Sequence, residues 1–108
     1  MHMMELVQSP VTEEEVANET ATDPILSLVH QSVLAGWKVH QGKEESLRPY
    51  WTRREELSVQ GGCVLWGSRV IIPEKLRMTV LKELHDVHPG ISRMKALSRS
   101  YFWWPKMD

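Results

Sequence analysis

Two histidines three positions apart, His85 and His88, stand directly before Pro89-Gly90 in a chain of 108 residues. Neutral imidazole is a good zinc ligand, and two of them at a helix-to-turn junction can converge on one ion, with glycine letting the backbone turn around it. Tetrahedral zinc needs four donors, however. His2, His30 and His40 lie in unrelated segments, and the single cysteine, Cys63, falls in a predicted strand. Taken alone, the pair reads as half of a metal site or as a polar helix terminus. Further on, Arg93, Lys95, Arg99 and Lys106 offer salt-dependent contacts to phosphates or form a solvated helix face. Trp103-Trp104-Pro105 supplies indoles that stack on bases or, in the alternative, fill a core and brace the chain that follows.

The elements that must position these residues are marked by caps and breakers. Residues 1–11 show no periodicity. Thr12 before Glu13-Glu14-Glu15 has the form of a capping box, but with only Val16 and Ala17 to pack the helix is expected to be short and marginal. Asp23-Pro24 is a stronger start, and Ile25, Leu28, Val29, Ser32 and Val33 recur at helical spacing until Gly36, which predicts a helix over 24–35. A loop over 38–45 precedes a short helix with Leu47, Tyr50, Trp51 and Arg54 on one face, where Arg53-Arg54 beside Glu55-Glu56 reads as a solvated charge pattern. From Leu57 the period changes to two. Leu57–Val59, Cys63–Trp66 and Arg69–Ile72, separated by Gly61-Gly62 and Gly67-Ser68, predict a three-stranded antiparallel meander that ends at Pro73. Pro73-Glu74 opens a long helix with an apolar stripe of Leu76, Val80, Leu84 and Val87, expected to form one core with Trp66, Val70 and Ile72. After Pro89-Gly90 a second helix carries Ile91, Met94, Leu97 and Tyr101, completing a helical hairpin.

Composition narrows the function classes. One cysteine excludes an intramolecular disulfide and suits a reducing, intracellular setting, nuclear or cytoplasmic. No secretory leader is evident, and no apolar run is long enough to span a bilayer, so no membrane partner is expected. The net charge of −1 hides a division: six acidic and no basic residues over 1–36, against all 13 basic and eight acidic residues over 37–108. Such a basic portion suits nucleic acid, or is an ordinary mixed surface beside an acidic arm.

These motifs carry a resemblance. His85-x-x-His88-Pro89-Gly90-Ile91-x-Arg93-Met94-Lys95-Ala96-Leu97-x-Arg99-x-Tyr101-x-Trp103-Trp104-Pro105 resembles the start of the His-His-Cys-Cys zinc-binding domain of gypsy-type retrotransposon integrases. Trp51-x-Arg53-Arg54-x-Glu56-Leu57-Ser58 and Gly62-Cys63-Val64-Leu65-Trp66-Gly67-x-Arg69-Val70-Ile71-Ile72-Pro73 resemble the extension that precedes it, so the likeness covers about residues 23–108. The gap between the histidines is shorter than in many members, and the family's Cys-x-x-Cys pair would fall beyond Asp108.

The resemblance implies an α+β chain in three parts: a flexible acidic arm over 1–22, an extension of helices plus meander over 23–73, and a partial zinc-binding domain over 74–108. It implies that His85 and His88 are half of a structural zinc site, with zinc held by the full-length parent and none expected in these 108 residues. It also implies a non-catalytic role, since strand transfer belongs to a separate carboxylate core. Partners would be DNA, engaged weakly and nonspecifically through Arg93, Lys95, Arg99 and Lys106, and other integrase subunits or host proteins. Rival expectations are a host-retained protein-interaction module without a DNA role, and a spacer between RNase H and integrase.

Overall fold

The computed structural model describes residues 11–87 and 101–107, the side chains of 84–87 excepted. Among them the chain is α+β. Helices α1 (Glu13–Thr22) and α2 (Leu26–Ala35) lead through a 3-10 turn at Val39–Lys43 to the short α3 (Arg48–Trp51) and a second turn at Arg54–Glu56. Strands β1 (Leu57–Gln60), β2 (Cys63–Trp66) and β3 (Arg69–Ile71) follow, then α4 (Glu74–Val87) and strand β4 (Phe102–Trp103).

The expected caps form. The Thr12 hydroxyl accepts from the Glu15 amide at 3.1 Å. Asp23 does more than the sequence suggested. One carboxylate oxygen accepts from the Ile25 and Leu26 amides, both at 2.9 Å, and the other accepts from the Glu74 amide at 3.2 Å. A single side chain thus satisfies orphan donors at the start of both α2 and α4. Pro73 precedes α4 as expected, and Arg77 in its first turn donates from Nε to the Ile72 carbonyl at 2.9 Å.

The meander is antiparallel, with Leu57 opposite Trp66 and Leu65 opposite Val70. Gly61 and Gly62 turn the first hairpin with φ of 59° and 86°, a region open to glycine without steric cost. Gly62 has a second reason to lack a side chain: a Cβ there would lie 2.9 Å from the Ala17 Cβ of α1. The sheet gains a strand that the periodicity did not reveal. β4 pairs parallel to β3, Val70 with Phe102 and Ile71 with Trp103. Parallel pairing needs a crossover, and α4 supplies part of it.

Successive strand residues point to opposite faces, and both faces are covered. Cys63, Leu65, Val70, Ile72, Phe102 and Trp104 pack on one side with Val11, Val16, Leu76 and Val80, beneath α1 and α4. On the other side, Leu57, Val64 and Ile71 pack with Leu26, Val29, Leu47 and Tyr50, beneath α2 and α3. The single core expected from the apolar stripe is therefore two. Trp66 belongs with the second, half-buried, because it lies opposite Leu57 and out of phase with Leu65.

Packing among the described residues runs across two expected boundaries. The arm over 1–22 includes α1, whose Val16 and Thr20 are wholly buried, so its acidic face is the outside of a packed helix. The division at 73/74 separates no packing unit, because Phe102 and Trp104 complete the core that Val70 and Ile72 begin. The second helix of the hairpin and the Leu84 side chain lie outside the described residues. No described helix is long and apolar enough to cross a membrane.

Leu76 is 7 % exposed and Met78, two residues on, is 74 % exposed. Leu76→Ala is expected to lower stability by roughly 2–5 kcal/mol and Met78→Ala by less than about 0.5 kcal/mol in urea denaturation. Similar losses from both would mean that α4 does not present this face to the sheet.

Candidate functional site

The residues singled out for chemistry are only partly in view. His85 lies in the last turn of α4, its side chain outside the described residues, as are His88, Arg93, Lys95 and Arg99. Lys106 is described: it is exposed, with φ of 64°, at the rim of an open cleft of about 610 Å³ lined also by Asp23, Tyr50, Glu74 and Arg77. Arg77 reaches the Tyr50 hydroxyl at 3.5 Å, and burial raises the Tyr50 pKa to about 12 against the lowering effect of that guanidinium.

Among the described residues no three histidine, cysteine or acidic side chains are grouped to hold a metal. Cys63, the one thiol, does not suit such a site. It is 2 % exposed on β2, and its Sγ lies 3.6 Å from the Glu13 carbonyl oxygen, to which the thiol donates. Burial first, and the Glu13 carboxylate second, push its pKa up to about 11, so the thiolate that zinc requires is disfavoured. This agrees with reading Cys63 as a core residue.

What the structure assembles instead is a cluster of arginines and indoles built from the upstream signature and the Trp-Trp pair. Arg53 stands 4.7 Å from the Trp66 ring centre and 4.6 Å from that of Trp103, and Arg69 lies 5.0 Å from Trp66. Trp66 and Trp103 meet edge to face at 5.0 Å, and Tyr50 meets Trp103 in the same way at 5.9 Å. The Trp66 Nε1–H donates to Glu56 at 2.9 Å. Beside this cluster, Arg54 lies 3.9 Å from the Trp51 ring centre and donates to the Trp51 carbonyl at 2.8 Å. The solvated pattern expected at Arg53-Arg54 is thus corrected: both are half-buried, and aromatic faces stabilise them. The alternation of tryptophan with arginine was the signal, but it becomes legible only once β2 and β4 are known to share a face.

The indoles of Trp103-Trp104 are used internally. Trp104 is 7 % exposed in the core beneath α1 and α4, and Trp103 is half-buried against Arg53. Their packing matches the core-filling reading of this pair.

With this geometry in hand, relatives give it a lineage. Residues 72–108 match the family described as the integrase zinc binding domain. A Caenorhabditis elegans protein named "Uncharacterized protein K02A2.6" is 38% identical over 102 residues, covering 93% of this chain. The chain spans only 8% of that relative's length. No solved structure matches the chain significantly. The likeness read from the motifs therefore holds over residues 72–108, which carry part of an integrase zinc binding domain, and the residues before them are shared with the same relative.

The Cys63 thiol gives a direct check on the packing of β2 against α1. It should resist a thiol reagent at pH 8 in the native protein and react fully in denaturant. Its native pKa, near 11, is raised above the ordinary 9.0, so the stability it contributes is complete below about pH 9 and lost as pH rises toward 11. Cys63→Ala should flatten part of that alkaline decline; rapid native labelling would place the thiol at the surface.

Proposed function

We propose that this chain is a non-catalytic N-terminal piece of a retrotransposon-type integrase, or of a host gene derived from one, that supports assembly and engages DNA. The observation that carries this reading is the match of residues 72–108 to the integrase zinc binding domain. Charge supports the DNA part: all 13 basic residues lie after residue 36, and Arg93, Lys95, Arg99 and Lys106 are the proposed phosphate contacts. In an element of this kind the working compartment is the nucleus. His85 and His88 would supply two zinc ligands of the parent, orienting structure and not reacting. The rival protein-interaction reading draws support from Leu34 and Val39, which are 67 % and 79 % exposed.

Zinc tests the ligand assignment. A polypeptide of these 108 residues should show no tight one-to-one zinc event by calorimetry, whereas one extended through a following Cys-x-x-Cys should bind tightly and lose that binding in His85→Ala or His88→Ala. Tight binding by the shorter chain that survives both substitutions would remove the two histidines from the site.

DNA affinity is expected to be modest, independent of sequence and weakened by salt. Fluorescence anisotropy at low salt should show binding that falls by about tenfold when Arg93, Lys95 and Arg99 become Gln together, with a shallower salt slope. Because α1 is packed, the acidic face is best tested by Glu14→Gln with Glu15→Gln, both exposed, which should strengthen binding. A flat response from every form would favour the protein-interaction module.

A further inference from the structure

Strand β4 is two residues long and lies at the edge of the sheet. A parallel pairing this short offers few backbone bonds; the Ile72 amide donates to the Trp103 carbonyl at 3.1 Å beside it. Its attachment must come largely from side chains. Phe102 and Trp104 bury on the α1–α4 side by apolar contact, which is non-directional. Trp103 faces the other side, where it meets a charge.

That charge is Arg53. Its Nη1 donates to the Pro49 carbonyl at 2.8 Å and to the Thr52 hydroxyl at 3.3 Å, while its buried Nε finds no acceptor among the described residues. No described carboxylate pairs with it. A half-buried cation so placed depends on the electron-rich faces of two indoles. One, Trp66, is on β2, and the other, Trp103, is on β4 within the segment that matches the zinc-binding family.

We propose that Arg53 is a positioning residue for the C-terminal strand: its guanidinium, between Trp66 and Trp103, couples β4 to the upstream unit and sets how readily that strand opens while β1–β3 stay paired. Two physical features distinguish this from general packing. Replacing a half-buried cation that has no described carboxylate partner by an apolar side chain of similar length leaves no charge unpaired, so global stability should change little. The β1–β2 ladder, in turn, runs from Leu57–Trp66 to Gln60–Cys63 without using Trp103. The effect should therefore be confined to β4 and its neighbour. This inference rests on the family match only for the identity of the segment held, so a failed DNA or zinc experiment leaves it standing.

Amide hydrogen exchange on the full chain tests it, read by NMR for the wild type, Arg53→Met and Arg53→Lys. Arg53→Met should speed exchange at the Ile72 amide about tenfold, while amides paired within β1–β2 change by less than about twofold. Arg53→Lys should fall between, since an ammonium keeps the charge without the planar stacking. Adding Arg53→Met to Trp103→Leu should cause no further acceleration at Ile72. Unchanged exchange at Ile72, equal acceleration along all the strands, or additive effects of the two substitutions would each overturn the proposal.

Discussion

A sheet of strands two to four residues long has little cohesion of its own, so this fold depends on covering both of its faces. The sequence of β4 meets that requirement from the edge. Phe102 and Trp104 go to one side and Trp103 to the other, because side chains alternate along a strand. Three consecutive aromatic residues, which would be unwelcome on a half-exposed strand, are what a strand buried on both sides can use. The helices divide accordingly, α1 and α4 beneath one face, α2 and α3 beneath the other.

Two-sided burial explains where the polar groups go. Asp23 sits where α1 ends and α2 begins, and its two oxygens serve both α2 and the start of α4, so one carboxylate ties together helices from opposite layers. Arg77 plays the complementary part, reaching from α4 to the end of β3 and to Tyr50 on α3. Arg53 and Arg54 take aromatic faces and backbone carbonyls in place of carboxylates. Arginine tolerates this better than lysine would, since its planar, weakly hydrated guanidinium stacks while still donating hydrogen bonds.

Local chemistry made much of this legible. Thr12, Asp23-Pro24, Gly61-Gly62 and Pro73 act on the backbone within a few residues, so the helices and hairpins they delimit could be read directly from the chain. Long-range pairing could not be read. β4 leaves a period-two signal only two residues long, and Phe-Trp-Trp fits a helix end as well as a strand. Without β4 the second face leaves no signature in the sequence, so Trp66 reads as part of one core with Val70 and Ile72. The same gap hid Arg53, whose partners lie 13 and 50 positions away. The acidic face of α1 misled in another way: charge counts describe its outside, while Val16 and Thr20, with no exposed surface, decide its packing.

Of the candidate site, only its family was legible, as a motif in order rather than as a geometry. Histidine spacing carries little by itself, and the longer run from His85 to Pro105 identified the integrase zinc-binding segment that the family match then covered. That match begins at residue 72, beside a strand whose neighbours on both sides are buried in shared cores. The start of the match is therefore not a boundary of packing. α4 rests on the sheet through Leu76 and Val80, and β4 through Phe102 and Trp104, all in one cluster. Both ends of the intervening stretch are thus fixed by the same surface, which consists largely of residues upstream of the match. The upstream helices and meander therefore decide where α4 and β4, the described parts of the matched segment, sit relative to each other.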